Sequence, residues 1–252
     1  KCYFKNKICA DLGCGATGAG GYNLLNIGAK YCHLLDMQKN IEKPIKVTLK
    51  KFKNKFQVDI GNLEKLPYKK NFFDFILCQG AIHHAKNDMK CFKEIYRVLK
   101  TKGKSLIQVH GEAGLINDLT MKLIRPKYRN DHNFRKIINN LFNKNSKKYK
   151  NFFFKYYDKE TKNIFNHISK YLDDDILLTL KDRILSPKYK TYNEKFLKTY
   201  LKKIGFKKIY RIKKKVKFSN IRRMISPVYY QYDNEIAKAL YGDGIIHLMV
   251  EK

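Results

Sequence analysis

The first 36 residues combine a glycine-rich bend with two acidic residues, and these residue types predict a binding site for a nucleoside. The segment ADLGCGATGAGG places Gly13, Gly15 and Gly18 in a G-x-G-x-x-G pattern, with Asp11 just before it and Asp36 after it. Glycine lets the backbone approach a ligand closely, whereas a carboxylate beside the bend repels a pyrophosphate and attracts a cation. The spacing favours a positively charged nucleoside without phosphate, although the glycines alone also fit a dinucleotide fold or a plain tight turn.

The elements that must position these residues follow from the spacing of the apolar residues. Short apolar runs predict five β-strands in the first half of the chain, at residues 7–12, 31–35, 56–59, 73–78 and 105–109. Helices are expected at residues 20–28, 37–51 and 87–99, and Gly103 is expected to end the last helical region. Strands that alternate with helices in this way predict βαβ units and a parallel sheet.

The rest of the chain is expected to complete the same sheet after a helical interruption. Residues 191–194 predict a capping box that starts a helix, and Gly205 predicts its end. Residues 206–212 and 245–251 predict two more strands, the last of them antiparallel at a sheet edge. We therefore predict a Rossmann-like, doubly wound α/β fold with a mostly parallel seven-stranded sheet and a helical insertion. The expected domains are a nucleoside-binding core (1–114), a helical insertion or lid (115–190) and a segment that completes the sheet and the acceptor pocket (191–252).

Several stretches of the sequence resemble one enzyme family. ICADLGCGATG is similar to the first motif of class I S-adenosylmethionine-dependent methyltransferases, and Asp36 stands where that family keeps its ribose-binding acid. VDIGNLEKLPYKKNFFDFILCQGAIHH resembles the stretch from the adenine-contacting Asp to the fourth strand, especially in the ubiquinone-biosynthesis-like (type 11) branch. VLKTKGKSLIQV and FLKTYLKKIGFKKI resemble later helix–strand segments of the same fold. The resemblance implies S-adenosyl-L-methionine as the cofactor and leaves the acceptor open.

The resemblance also implies a role for each residue near the ends of the strands. The glycine bend would cradle the methionine end of the cofactor, Asp11 would hold its ammonium group, and Asp36 would accept hydrogen bonds from both ribose hydroxyls. Asp59 would accept a hydrogen bond from the adenine amino group, with Ile60 beside the ring. Gln79 and Gly80, expected near the methyl group, complete a set of cofactor-binding residues that also includes Gly13, Cys14, Gly15, Gly18 and Met37.

Two adjacent histidines, His83 and His84, follow the fourth predicted strand, where ligands bind in open α/β sheets. One of them would orient the acceptor or take its proton, since a neutral imidazole suits proton transfer near pH 7; helix capping or packing is the alternative. His110 and Glu112 are weaker candidates for a base. Methyl transfer from a sulfonium is a direct displacement, so in-line positioning supplies much of the rate even without a base. No metal site is expected, because none of the six cysteines forms a C-x-x-C pair.

Two aromatic and basic regions, residues 152–157 and 213–232, are expected to form the acceptor pocket or its lid. The second region contains Arg222 and Arg223, a pair suited to a carboxylate or phosphate on the acceptor. The alternative is a packed helical cap whose charges are solvated.

The net charge of +32, from 54 basic and 22 acidic residues, raises the question of a polyanionic partner. The lysines are scattered along the chain, however, and abundant Lys, Asn, Ile, Tyr and Phe is also the mix that A/T-rich codons produce. No apolar run approaches the roughly 18 residues of a membrane span, so stable membrane insertion is not expected. Unpaired cysteines favour a cytoplasmic location. The oligomeric state is left open, and a chain that begins with Lys1 is expected to lack an N-terminal piece.

Three functions are compatible with these features. The first is methyl transfer from S-adenosyl-L-methionine to a small-molecule or lipid-like acceptor, which a lid-forming insertion favours because small acceptors need water excluded. The second is RNA methylation on the basic surface, although the fourth strand ends in Cys78-Gln79-Gly80 rather than in an RNA methyltransferase motif. The third is a non-catalytic cofactor-binding module, which the intact glycines and acids disfavour.

Overall fold

A seven-stranded β-sheet forms the centre of the structure, a computed structural model that describes residues 2–143, 159–160, 163, 181–212 and 235–252. The strands are β1 (Ile8–Leu12), β2 (Tyr31–Asp36), β3 (Phe56–Ile60), β4 (Phe73–Gln79), β5 (Leu99–His110), β6 (Lys208–Arg211) and β7 (Ile245–Glu251). Their order across the sheet is β3-β2-β1-β4-β5-β7-β6. The prediction of a Rossmann-like, mostly parallel seven-stranded sheet is therefore confirmed.

The first five strands are all parallel to their neighbours. Parallel strands need crossover connections, and three of these contain the helices α1 (Ala19–Asn26), α2 (Glu42–Thr48) and α3 (Asp88–Val98). The strand order reverses at β1, which lies between β2 and β4. In open α/β sheets ligands bind outside the carboxyl ends of the strands at such a reversal, so the fold places the candidate site at the ends of β1, β2 and β4.

The last strand, β7, runs antiparallel to β6 but does not lie at the edge of the sheet. It lies between β5 and β6, where Lys102 donates its amide to the carbonyl of Lys252 (2.9 Å) and Lys252 donates back to Gly103 (3.0 Å). The antiparallel direction was predicted correctly and the edge position was wrong. The physical reason is burial, because three alternate apolar residues of β7 are fully buried whereas β6 has exposed positions and takes the edge; these residues are Ile246, Leu248 and Val250.

The sheet separates two layers of apolar side chains. On one face, residues such as Ile76, Ile107 and Leu248 pack with α3 and with a later helix, α7 (Glu194–Ile204). On the other face, the residues around Leu34 and Leu77 pack with α1 and α2. Both strand faces are apolar for this reason, and the polar residues are left for the strand ends.

The boundaries of two helices differ from the predictions. The helix expected over residues 37–51 is shorter: α2 covers Glu42–Thr48 and a 3₁₀ turn follows at Lys50–Phe52. Gly103 does not end a helix, because α3 stops at Val98 and the next residue already belongs to β5. The backbone becomes extended there since Leu99 pairs with Phe73 of β4.

The start of α7 also differs from the predicted capping box. Asn193 is the N-cap residue, and its side chain accepts the amide hydrogen of Phe196 at 3.1 Å. Tyr192 cannot take part in the first turn, because its amide donates to the carbonyl of His110 (2.9 Å) in an extended bridge. At the other end Gly205 has φ +121°, a conformation that favours glycine, so the predicted helix end is confirmed.

The chain divides into two compact units. The first contains the sheet and consists of Lys1–Gly111, Lys188–Lys213 and Ile246–Lys252. The second comprises Glu112–Pro187 and Lys214–Ile245. Its helices include α4 (Leu115–Asp118), a π-helical segment (Leu119–Ile124), α5 (Arg125–Asn130), α6 (His132–Asn143) and α8 (Glu235–Tyr241). Within the described parts of the chain, we find no helix with both the length and the apolar character needed to cross a bilayer.

Candidate functional site

The glycine-rich bend joins β1 to α1 and is tied to the end of β2. The amides of Gly13 and Cys14 both donate to the carbonyl of Leu35, at 2.7 and 3.2 Å. Gly13, Gly15 and Gly18 have φ values of +75°, +59° and +58°. This left-handed region is strained for residues with a side chain, so the bend requires glycine at the predicted positions.

Gly13 and Gly15 differ in the space around them, so alanine substitutions at the two positions are expected to differ in their effect on stability. A Cβ on Gly13 would lie 2.2 Å from Cβ of Ala81, whereas nothing lies within 4 Å of one on Gly15. We expect Gly13→Ala to lower the free energy of unfolding by about 3 kcal/mol, because strain and overpacking add, and Gly15→Ala to lower it by about 1 kcal/mol through strain alone. Urea unfolding of both variants measures the difference, and equal losses would contradict the packing argument.

The first acid, Asp11, is buried beside the bend. Its side chain is 4 % exposed, and Oδ2 accepts the amide hydrogen of Gly21 at 2.8 Å. Burial raises the pKa of Asp11 to about 6, the Gly21 hydrogen bond lowers it, and the charge of Asp36 raises it again. No ion pair to Asp11 occurs within the described segments. A buried carboxylate of this kind is stabilised by a cationic ligand, since buried charges need a partner.

The second acid, Asp36, ends β2 and holds the bend directly. Its Oδ2 accepts the amide hydrogen of Gly15 at 2.9 Å, and its Oδ1 accepts that of Gln38 at 3.1 Å. Asp11 and Asp36 therefore both contact the bend or the helix that follows it. The two acids, the bend and the start of α1 therefore lie together in space.

The residues expected near an adenine ring lie beside Asp36, at the end of β3. Ile60 is paired in register with Asp36, and it is 55 % exposed, while Met37 is 75 % exposed. Large apolar side chains this exposed offer a surface for a flat ring. The carboxylate of Asp59 accepts hydrogen bonds from the Gln57 amide (2.6 Å) and from the Tyr68 hydroxyl (2.8 Å).

The end of β4 supplies Gln79 and Gly80, the residues expected near the transferred methyl group. The Gln79 amide donates to Oε1 of Gln108 at 3.2 Å. Gly80 has φ +70°, and nothing lies within 4 Å of the position that its Cβ would take. The backbone therefore turns here next to open space, as a floor that a ligand approaches requires.

The two histidines lie in a 3₁₀ turn, Ile82–His84, after β4. His83 is buried, and its ring centre lies 4.1 Å from that of His84 and 4.4 Å from that of His110. Nδ1 of His84 lies 2.9 Å from the carbonyl oxygen of Lys188. Because a carbonyl only accepts, Nδ1 donates in this contact, so in a neutral ring Nε2 is the nitrogen able to accept a proton.

Tyr189 joins this cluster, a position that was not predicted from the sequence. Its hydroxyl is hydrogen-bonded to Nδ1 of His110, and its ring centre lies 5.1 Å from His83 and 5.7 Å from His84. The chain is held there because the Lys190 amide donates to the His83 carbonyl at 3.0 Å. An isolated tyrosine in a lysine-rich stretch gives no sequence signal for such a position.

The remaining candidates belong to the second unit or lie outside the described residues. Glu112 belongs to the second unit, where its backbone carbonyl accepts the amide hydrogen of Asp243 at 2.9 Å. The predicted acceptor-pocket regions, residues 152–157 and 213–232 with Arg222 and Arg223, lie outside the described residues.

Together, the described residues fit a ligand with three parts. The buried carboxylate of Asp11 suits a cationic group, Asp36 suits a vicinal diol, and Met37 and Ile60 offer apolar surface to a flat ring. The histidine cluster follows β4 at the same carboxyl edge of the sheet. Such an arrangement suits a charged nucleoside, with imidazole rings at the same edge of the sheet.

The chain matches one protein family over its first half. Residues 10–107 match a family model described as "Methyltransferase domain". This range includes the bend, Asp11, Asp36, Asp59 and both histidines of the turn.

Relatives and a solved structure are similar to this chain over different lengths. An uncharacterised protein of Methanocaldococcus jannaschii is 37 % identical over 119 residues, which cover 46 % of this chain and 47 % of that protein. A tRNA U34 carboxymethyltransferase of Helicobacter pylori is 28 % identical over 109 residues, or 41 % of this chain and 40 % of that protein. The chain spans less than half the length of these curated relatives. An S-adenosylmethionine-dependent methyltransferase structure from Mesorhizobium loti covers 99 % of this chain and 93 % of its own at 12 % identity and a TM-score of 0.57, which is a likeness of fold alone.

Proposed function

Since residues 10–107 are a class I S-adenosylmethionine-dependent methyltransferase domain of the type 11 branch, we propose that the chain transfers a methyl group from S-adenosyl-L-methionine to a small-molecule or lipid-like acceptor. The observation that carries the proposal is the contact of the two acids with the bend and with the helix that follows it: Asp36 accepts the amide of Gly15 in the bend, and Asp11 accepts that of Gly21 in α1. This geometry suits an adenosine sulfonium and not a pyrophosphate, which two carboxylates would repel.

The bound cofactor supplies an electrophilic methyl group on a positively charged sulfur. Asp11 holds its ammonium group as a buried counter-charge, and Asp36 accepts hydrogen bonds from the two ribose hydroxyls. Residues 13–18 would allow the backbone to come close to the methionine end, and Met37 and Ile60 would offer their exposed side chains to the adenine ring. The open space beside Gly80 would receive the methyl group and the acceptor.

His84 is the proposed proton acceptor for the acceptor molecule. Its Nδ1 donates to the Lys188 carbonyl, which fixes the ring and turns Nε2 into the basic nitrogen. His83 packs against it and restricts its rotation. Alignment of the acceptor with the methyl group would supply much of the rate in a direct displacement, with or without a base.

A tRNA acceptor is the second candidate, favoured by one relative and by charge. The Helicobacter pylori relative is named as a tRNA U34 carboxymethyltransferase, and the chain carries a net charge of +32. Lysine-rich surfaces bind RNA through phosphates, and such binding weakens steeply with salt. Tight binding of bulk tRNA that persists at physiological salt would favour this candidate over a small molecule.

Calorimetry with S-adenosylhomocysteine, followed by a methyl-transfer assay, tests the proposal. We expect micromolar-range binding, and transfer of label from tritiated S-adenosyl-L-methionine to a small-molecule or lipid extract but not to bulk tRNA. Binding without transfer to either pool would favour a non-catalytic binding module. Absence of binding, or stronger binding of NAD, would overturn the proposal.

Replacing His84 tests the proposed proton transfer. We expect His84→Gln to lower the turnover number about 100-fold, because general-base catalysis contributes at least that much, while S-adenosylhomocysteine binds within twofold of the wild type. The measurement follows label transfer into the fraction that the wild type methylates. His132→Gln, at an exposed position of α6, is the control and should leave turnover unchanged. Unchanged turnover in His84→Gln would mean that no base is needed there.

A further inference from the structure

Asp59 is held by three donors of the chain itself. Its Oδ1 accepts the Gln57 amide at 2.6 Å, and its Oδ2 accepts the Tyr68 hydroxyl at 2.8 Å and faces Nδ1 of His33 at 3.3 Å. A carboxylate offers about four acceptor positions, so three donors leave one for a donor from outside the chain. The side chain is 16 % exposed, and Asp59 lies one residue before Ile60, the last residue of β3.

His33 presents a donor to Asp59 and is itself enclosed. It pairs in register with Gln57, so both side chains lie on the face of the sheet that also carries Asp59. Four aromatic rings lie around its imidazole at centre distances of 5.2 to 5.5 Å: Tyr31, Tyr68, Phe72 and Phe73. Burial lowers the pKa of His33, although Asp59 opposes the shift, so the ring is neutral at pH 7 with its proton on the nitrogen facing the carboxylate.

Tyr68 is fixed from both ends. Its ring contacts Phe73 edge-on at 4.8 Å, and burial together with the neighbouring Asp59 raises the pKa of its phenol, so the hydroxyl remains a donor. Its backbone carbonyl accepts from the guanidinium of Arg97 at 2.7 Å. The same guanidinium is held by Glu94, also at 2.7 Å. The loop that carries Tyr68 is therefore anchored to α3, which restricts where the hydroxyl lies.

The three contacts to Asp59 also fix the orientation of its carboxylate at the end of β3. Asp59 is the penultimate residue of β3, and the next residue, Ile60, is in register with Asp36. Donors that fix the carboxylate at this point also fix the direction of its remaining acceptor position. A fixed acceptor distinguishes an amino group from a carbonyl oxygen, since the first donates to it and the second is repelled by it.

We propose that His33, Gln57 and Tyr68 are positioning residues that hold Asp59 so that the chain selects a purine with a 6-amino group over a 6-oxopurine. The inference rests on the proposed function, because it concerns the nucleoside of the same cofactor. Removal of one donor lets the carboxylate rotate, so the amino group loses its partner and the 6-oxo group loses its repulsion.

Binding of two nucleosides tests the inference directly. Calorimetry on the full chain compares S-adenosylhomocysteine with its deaminated analogue, S-inosylhomocysteine. We expect the wild type to prefer the amino compound about 100-fold, because hydrogen bonds to charged groups contribute most to discrimination, and Tyr68→Phe to reduce the preference to about 10-fold or less. Tyr200→Phe, which removes another half-buried phenol on α7, should leave the ratio unchanged.

Two further variants test the same preference if Tyr68→Phe does not fold. Gln57 is exposed, so Gln57→Leu should leave the fold intact and lower the preference about threefold to tenfold. Asp59→Asn should abolish or reverse the preference, since an amide also donates to a 6-oxo group. If Tyr68→Phe and Gln57→Leu both keep a preference for the amino compound within twofold of the wild type, the inference is overturned and the proposed function is not. Failure of the wild type to bind either nucleoside would overturn the proposed function and this inference with it.

Discussion

Replacing Asp36 by alanine is expected to weaken the binding of S-adenosylhomocysteine about 1000-fold. Two hydrogen bonds from ribose hydroxyls to a charged acceptor are worth about 4 kcal/mol, and alanine removes both. The contact to the Gly15 amide is lost as well, so the bend loses its tie to β2 at this point. The measurement is calorimetry or equilibrium dialysis, with thermal unfolding as a check of the fold.

Asp36→Asn separates these two contributions. Its side-chain oxygen can still accept the Gly15 amide but carries no charge, so we expect a smaller loss of about 30-fold. Asp118→Ala is the matched control, since Asp118 is an exposed acid of α4 whose partner is Lys122. Binding within threefold of the wild type in Asp36→Ala would exclude the proposed ribose contact.

Replacing Asp11 by asparagine is expected to stabilise the protein and to weaken cofactor binding at the same time. The ligand loses a buried counter-charge, which is worth about 3.4 kcal/mol or about 300-fold in affinity. The free protein no longer has to bury an ionised carboxylate, so we expect its free energy of unfolding at pH 7.5 to rise by about 2 kcal/mol. Asparagine can still accept the Gly21 amide that Asp11 now accepts.

The stability gained in Asp11→Asn is expected to depend on pH, because it comes from removing an ionised carboxylate. Burial raises the pKa of Asp11 from 3.8 to about 6, so the folded state binds more protons than the unfolded state between these values. Wild-type stability therefore falls, for this group, as the pH rises through that interval. The advantage of Asp11→Asn should be complete above pH 6 and should vanish towards pH 4. Urea unfolding at several pH values measures it, and an advantage that does not change with pH would contradict burial as the cause.

The glycine bend and its acids could be predicted because their signals are local. Gly13, Gly15 and Gly18 are required by backbone angles that few other residues adopt, and the short apolar run before them is typical of a buried strand. Once the strands are parallel, their carboxyl ends must meet at one edge. The proximity of Asp36 to the bend then follows from topology without any knowledge of distances.

The contacts that the sequence did not reveal all depend on distant segments. Tyr189 reaches His110 from 79 positions away, and Tyr68 reaches Asp59 through a loop with no regular pattern. The capping box at residues 191–194 was wrong because Tyr192 bonds instead to His110. In each case a long-range hydrogen bond competes with a local preference, and local sequence contains no measure of that competition.

The interior position of β7 has a consequence for how the chain is made. The backbone hydrogen bond between Lys102 of β5 and Lys252 cannot form until residue 252 has been synthesised. At ribosomal speeds of about 5–20 residues per second the 150 intervening residues take about 8–30 s, during which one edge of β5 has no strand beside it. An exposed flank of that kind invites pairing with other nascent chains, so we expect co-translational chaperones to matter more for this molecule than for one whose sheet closes in chain order.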